Sequence, residues 1–217
     1  MPSNLSMATL TVMKIDLSWA ELVGRRLSLD FVNTCSDRLT DSPIEYLVDY
    51  ATLVAWAQHA GAVDAAGARR LAQKAAAQPR AAAAVLADAI ALRDALYRML
   101  MQRHRAPAPA DLARLNAELR RSSAEPHVAF HGGNYEVGWI ESDELTAPLD
   151  AVVRDAVDLL TCDECARVRQ CESESGCGWV FLDNTKGRSR RWCSMKGCGN
   201  RAKARRHYAR QKESEET

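Results

Sequence analysis

Six of the seven cysteines in this 217-residue chain fall between Cys162 and Cys198, while the seventh, Cys35, stands alone near the amino terminus. An odd count argues against a disulfide framework, and so does an amino terminus without a basic stretch leading into an apolar core, where no signal peptide is expected. A metal is the better explanation. Five residues separate Cys171 from Cys177, four separate Cys193 from Cys198, and fifteen lie between the pairs. Zinc takes four thiolates tetrahedrally, and two close pairs joined by a loop close such a site. The roughly forty residues involved could not build a sufficient core alone, so metal binding is expected to supply their folding energy. Four cysteines leave no open coordination position, and the one nearby histidine, His207, lies nine residues past Cys198. One structural zinc per chain is the expectation, not a catalytic one.

Charge divides the chain at the same place. Residues 1–166 hold 16 Lys and Arg against 22 Asp and Glu, a net −6. Residues 167–210 hold 12 against 3, a net +9, and the last seven residues return the total to +1. Such asymmetry suggests a basic module that meets a polyanion. Apolar residues make up 47%, which excludes a disordered or fibrous chain. No uncharged apolar run reaches the ~18–20 residues of a membrane span. A cytoplasmic protein without membrane contact is expected.

The first 166 residues read as mostly helical. Leu27 to Thr34 is a short apolar segment that suits either a strand or the first turns of a helix. Ser42-Pro43-Ile44-Glu45 carries a capping signal with proline at the first helical position, predicting a helix from there to about Gly61. Further helices are expected over 64–78, 80–104, 110–121 and 148–160, the strongest marked by Val85, Ala89, Leu92, Leu96 and Met99. Between the last two the period changes. His127 to Ile140 alternates around Gly132-Gly133-Asn134, with Val128 and Phe130 before the turn and Val137 and Trp139 after it, which predicts a hairpin near 127–140.

Beyond residue 167, Trp179 to Leu182 reads as a strand, Asp183 to Gly187 as a turn, and Arg190-Arg191-Trp192 as a returning strand. A helix should follow over 197–212 with Cys198 near its first turn. Knuckle, hairpin and ligand-bearing helix form the layout of a treble clef. The fold class is thus mainly α with a small β-hairpin, residues 1–166 preceding a treble-clef-like zinc module at 167–212. Trp179 and Trp192 are expected to pack its small core.

The segments Cys177-Gly178-Trp179-Val180-Phe181-Leu182-Asp183, Arg190-Arg191-Trp192-Cys193-Ser194-Met195 and Cys198-Gly199-Asn200-Arg201-Ala202-Lys203 resemble the CGNR zinc finger, whose four naming residues stand at 198–201. Leu27 to Thr34, Leu53-Val54-Ala55-Trp56 and Leu92-Arg93-Asp94-Ala95-Leu96 resemble the ABATE domain that usually precedes it. The pairing is that of stress-linked bacterial transcription regulators. The resemblance implies DNA binding and supports Cys171, Cys177, Cys193 and Cys198 as the zinc ligands. Cys162-Asp163-Glu164-Cys165 departs from that pattern: this extra C-x2-C has zinc-ligand spacing and suits a substitute first pair, a redox dithiol or no role at all.

The basic residues of the module are Arg188, Arg190, Arg191, Lys196, Arg201, Lys203, Arg205, Arg206 and Arg210. On a helix, Arg201, Arg205 and Lys212 share one side, and Lys203, His207 and Arg210 another. Cations neutralise phosphates and a charged helix fits the major groove, so this set is the candidate DNA contact. A solvated face, or one that grips RNA or a protein partner as an adaptor, is the alternative.

Arg93 shares a helical face with Leu86, Ile90, Tyr97 and Leu100, and a buried unpaired charge is very costly. Asp30 is one candidate partner and an anionic ligand another, with Asn33, Thr34 and Trp56 completing a tentative small-molecule effector pocket. Such a ligand would act by binding one domain arrangement better than another. No phosphate loop, nucleophile elbow or metallohydrolase motif is present, and Cys35 is expected to be buried, so no enzymatic activity is expected. Half-site recognition favours a homodimer.

Overall fold

The computed structural model describes residues 15–122, 125–140 and 142–215. Seven helices and three two-stranded antiparallel sheets appear among them. Helix α1 (Leu27–Val32) settles the ambiguous first segment as helical, and five of its six residues are buried. Helices α2 (Tyr50–His59), α3 (Ala65–Ala77), α4 (Pro79–Met101), α5 (Pro109–Arg121) and α6 (Ala147–Thr161) complete the helical part. Helix α4 is its axis. Ala89, Leu92 and Leu96 are fully buried against Leu29 of α1, Leu53 and Trp56 of α2, and Val152 and Leu159 of α6.

The helix expected from Pro43 does not form there. Cys35–Ser36 (β1) pairs instead with Ile44–Glu45 (β2), and α2 begins only at Tyr50, where Asp49 accepts the Thr52 amide at 2.7 Å. The physical reason is Glu45. Its carboxylate receives the two terminal nitrogens of Arg93 at 2.6 and 2.8 Å and the Leu47 amide ahead of it at 2.9 Å, while the Ser42 amide that a capping box would offer it donates to the Thr40 hydroxyl instead. Arg93, only 2% exposed, therefore pairs with Glu45 and Asp94 rather than with Asp30.

The hairpin forms as read. Strand β3 (Glu125–His131) pairs with β4 (Asn134–Ile140) around Gly132-Gly133. After α6 a short 3₁₀ turn (Asp163–Arg167) carries the chain into β5 (Val168–Gln170), which pairs with β6 (Val180–Leu182). The partner of β6 is thus upstream, and Arg190 to Trp192 form no strand. Buried Asp183 explains this, because it accepts from the Thr185 amide, the Thr185 hydroxyl and the Arg190 amide, closing the turn on itself. The chain then passes through a wide helical turn (Met195–Gly199) into α7 (Asn200–Glu215).

Strand β6 lies between two cores. Successive strand residues face opposite ways. Val180 and Leu182 accordingly join the helical core, while Phe181 packs against Cys171, Cys177, Cys193 and Cys198. The buried Asn33 side chain clasps β6 like a neighbouring strand, accepting from Val180 N–H at 2.8 Å and donating to Val180 C=O at 2.9 Å. Leu182 N–H donates to Gly24 C=O at 2.9 Å on the same flank.

Asp30 sits at this seam, accepting the Gly24 amide at 2.7 Å. Burial, reinforced by nearby Asp155, pushes its carboxyl from 3.8 up to about 7, against the pull of the Gly24 amide and Arg190. Between those values the folded chain holds a proton that the unfolded chain releases, so this group makes stability fall as pH rises. Asp30→Asn keeps an acceptor for Gly24 and removes the titration. Urea unfolding at pH 5 and pH 8 should show a smaller loss of stability at the higher pH in the variant, by on the order of a few kcal/mol. An identical loss in both proteins would contradict the assignment.

Candidate metal centre and basic helix

The four sulfurs of Cys171, Cys177, Cys193 and Cys198 all lie within 4.8 Å of one another, and all four residues are buried. Cys177 and Cys193 sulfurs are 3.8 Å apart, and those of Cys193 and Cys198 are 3.7 Å apart. A tetrahedral zinc with bonds of about 2.3 Å requires sulfur separations of about 3.8 Å, so the cluster has the shape of a four-thiolate zinc site. Its charge also calls for a cation. Neighbouring Cys171 and Cys177 sulfurs, and then burial, push the Cys193 thiol far up, so four thiolates cannot coexist there unaided. With the ion bound, all four are thiolates and one structural zinc holds the module together.

The surroundings orient the sulfurs. Backbone N–H groups of Cys193 and Ser173 point at Cys171, and that of Trp179 points at Cys177. Arg201 donates to the Cys198 sulfur at 3.1 Å, offsetting charge on the tetrad. The knuckle, residues 171–178, reaches the helical part through Gly178, whose backbone has φ of +70° and where a Cβ would stand 2.8 Å from Arg38 Cβ. Only glycine permits both that conformation and that approach. Cys162 and Cys165 lie apart, half-buried just before and within the 3₁₀ turn after α6, and the tetrad is complete without them.

The basic residues fall into distinct groups. Arg190 is turned inward, donating to the carbonyls of Val23, Trp192 and Cys193 with its guanidinium 4.0 Å over Phe181. Its position makes it a fastener between the seam and the zinc site. Arg191 pairs with Glu172 at 2.6 Å, and Arg205 lies 3.2 Å from Glu174 without hydrogen-bond alignment. Arg188, Lys196, Lys203, Arg206 and Arg210 are exposed. Helix α7 rests on the knuckle only near its start, where Ala202 and Arg205 are half-buried. Residues 206–212 are exposed throughout. At 100° per residue, Arg201 and Arg205 face the tetrad and knuckle, and Lys203, Arg206 and Arg210 face away.

The five residues of the tentative pocket are not brought together. Asp30 and Asn33 hold the seam, and Trp56 is 1% exposed in the helical core beside Phe31. Only Thr34 stays near Arg93, its hydroxyl 3.5 Å away. An open cleft of about 310 Å³ does flank Arg93, lined by Cys35, Arg38, Glu45, Asp94 and Tyr97. Glu45 and Arg38 escaped the sequence reading, because Glu45 stood in a capping motif and Arg38 in no motif at all.

A family model described as "Putative stress-induced transcription regulator", ABATE, matches residues 25–163. A second model, the CGNR zinc finger, matches residues 167–211. A search among curated proteins finds no match.

Metal analysis of purified protein should find one zinc per chain. Cys193→Ser should lose it, and the tryptophan environment around Trp179 and Trp192 should open. Cys162→Ser/Cys165→Ser should retain the full content. Zinc lost from that double variant would place the ligands wrongly.

Proposed function

The chain belongs to the ABATE family and carries a CGNR zinc finger, and from that premise we propose that it is a non-catalytic transcription regulator whose zinc module binds duplex DNA through helix α7. One observation carries this reading. Helix α7 is polar around its whole circumference and leaves the protein after its first turns, with cations exposed on the face turned from the tetrad. A helix polar on every side gains little from packing, so stability alone gives no reason for it. Phosphates supply a reason, because each cation that neutralises one releases a condensed counterion.

The division of arginines supports a docking geometry. Arg201 and Arg205 keep the helix on the tetrad and knuckle, and Arg190 keeps the knuckle on the seam. Lys203, Arg206 and Arg210 are then presented in one rigid direction, with Lys196 and Arg188 at the flank. In this reading the phosphate contacts position the helix, and base readout falls to the residues near its start.

Effector sensing is the second element of the proposal, moved from the dispersed five-residue pocket to the cleft beside Arg93. Two of its walls touch the zinc module: Arg38 packs on Gly178, and the Tyr97 hydroxyl accepts from Gln170 of β5 at 2.5 Å. A small ligand seated there would favour one packing of β5 and β6 over another.

Fluorescence anisotropy of zinc-loaded protein against labelled duplex fragments tests the DNA reading. Lys203→Ala/Arg206→Ala should weaken binding by about tenfold or more and lower the salt slope by about 2, one unit per lost phosphate contact. Unchanged affinity and slope would remove α7 from the interface. Preferential displacement by single-stranded RNA, or binding indifferent to salt, would favour the adaptor role.

A further inference from the structure

The β3–β4 hairpin carries a surface that neither the metal nor the basic helix uses. In its register Pro126 stands opposite Trp139, Val128 opposite Val137 and Phe130 opposite Tyr135. Side chains alternate along a strand, so these six share one face of the ribbon. They are open to solvent: Val128 is 71% exposed, Phe130 59%, Tyr135 80%, Val137 65% and Trp139 41%. The Phe130 and Tyr135 rings touch across the strands at 4.9 Å. Among the described residues, the Arg154 guanidinium of α6 ties down Trp139, lying 4.1 Å above its ring. That contact anchors the base of the hairpin and leaves the rest projecting.

Such a face calls for a cover. Two-stranded ribbons are at best marginally stable alone, and monomeric proteins rarely expose contiguous apolar patches beyond a few hundred Å². The chemistry narrows the occupant. Residues 125–140 contain no lysine or arginine and two glutamates, Glu125 and Glu136. The ribbon itself therefore offers nucleic acid and anionic membrane surfaces no counter-charge, and Arg154 of α6 is half-buried over Trp139 at its base, although the rings themselves suit stacking. The apolar face itself offers no charge by which a foreign partner would be selected, whereas an isologous contact needs only the same patch twice. Taking roughly 150–250 Å² for each ring and less for each valine, the exposed fractions come to about 600 Å² per copy. Two copies face to face would bury about 1,200 Å², within the range of specific stable interfaces.

We propose that the apolar face of the β3–β4 hairpin is a two-fold self-association surface, on which a second copy of this chain packs the same face through Val128, Phe130, Tyr135 and Val137. The interface stands apart from the DNA reading, since its test contains no nucleic acid. Side chains of two ribbons interdigitate there as between stacked sheets, with the two ribbons about 10 Å apart.

Sedimentation equilibrium of the zinc-loaded full chain over a concentration series decides the matter. The wild type should rise towards twice 23.9 kDa. Phe130→Glu places a charge in the middle of the contact and should sediment as a single chain. Val128→Thr/Val137→Thr keeps the β-branched strands while removing apolar surface, and should do the same with unchanged zinc content and helix signal. The second variant decides if the first does not fold. A wild type of single-chain mass at every concentration would overturn the proposal, as would a double mass that survives both folded variants.

Discussion

Strand β6 is three residues long, and both halves of the molecule depend on how it is held. Its middle residue, Phe181, is fully buried against the four cysteines; its outer residues, Val180 and Leu182, are buried in the helical core. One edge pairs with β5, and the other is clasped by the amide of Asn33. An asparagine side chain offers one donor and one acceptor in the same plane, so it satisfies both groups of Val180 as a strand would. A buried backbone pair left unmatched would cost about 1–3 kcal/mol per group. The zinc site therefore does not hang from the helices on a linker. Its folding energy and theirs meet on one strand.

Buried and half-buried guanidinium groups organise the rest of the seam. Arg93 commits Glu45 and so decides that residues 44–45 are extended instead of helical. Arg190 draws together the carbonyls of Val23 and Cys193, joining the segment before α1 to the zinc ligands. Arg26 reaches Asp155, Asp158 and Glu164, fixing α1 on α6 and on the turn that leads into β5. The planar, multiply donating guanidinium suits such work better than a lysine ammonium, which presents a point charge.

What the sequence made legible follows from the range of each interaction. Periodicity and cysteine spacing act within a few residues or through one ion, and the helices from Ala65 to Thr161, the Gly132-Gly133 hairpin and the four-sulfur cluster lie where the sequence places them, whereas the last helix starts only at Asn200, after a wide turn that carries Cys198. The misreadings lie where a distant residue overrules a local preference. Ser42-Pro43-Ile44-Glu45 has every local mark of a helix start, yet Arg93 lies 48 residues away and captures its glutamate. Asp30 is one of two candidate partners that the sequence offers Arg93, beside an anionic ligand, yet it accepts from Gly24 six residues back. The sequence points to a strand partner for β6 downstream, where Asp183 closes a tight cage instead. Counting cations likewise could not separate Arg190, which holds carbonyls, from Lys203, which faces solvent.

Charge separation gives these pieces a common orientation. Residues 1–166 carry a net −6 and residues 167–210 a net +9. At physiological salt, fields between exposed charges fade over about 8 Å, so each half acts on what is close to it. In the proposed complex a duplex would be drawn to α7 and repelled by the acidic helical part. A hairpin without a single lysine or arginine, anchored on α6, would accordingly remain off the polyanion and free to meet its like. Two basic helices would then be carried by one apolar contact, and the separation of paired half-sites would be set by the rigid path from hairpin through α6, β5 and β6 to α7. Each joint along that path is closed by a contact already named: Trp139 with Arg154, Arg26 with Asp155, Asn33 with Val180, and Arg201 with Cys198.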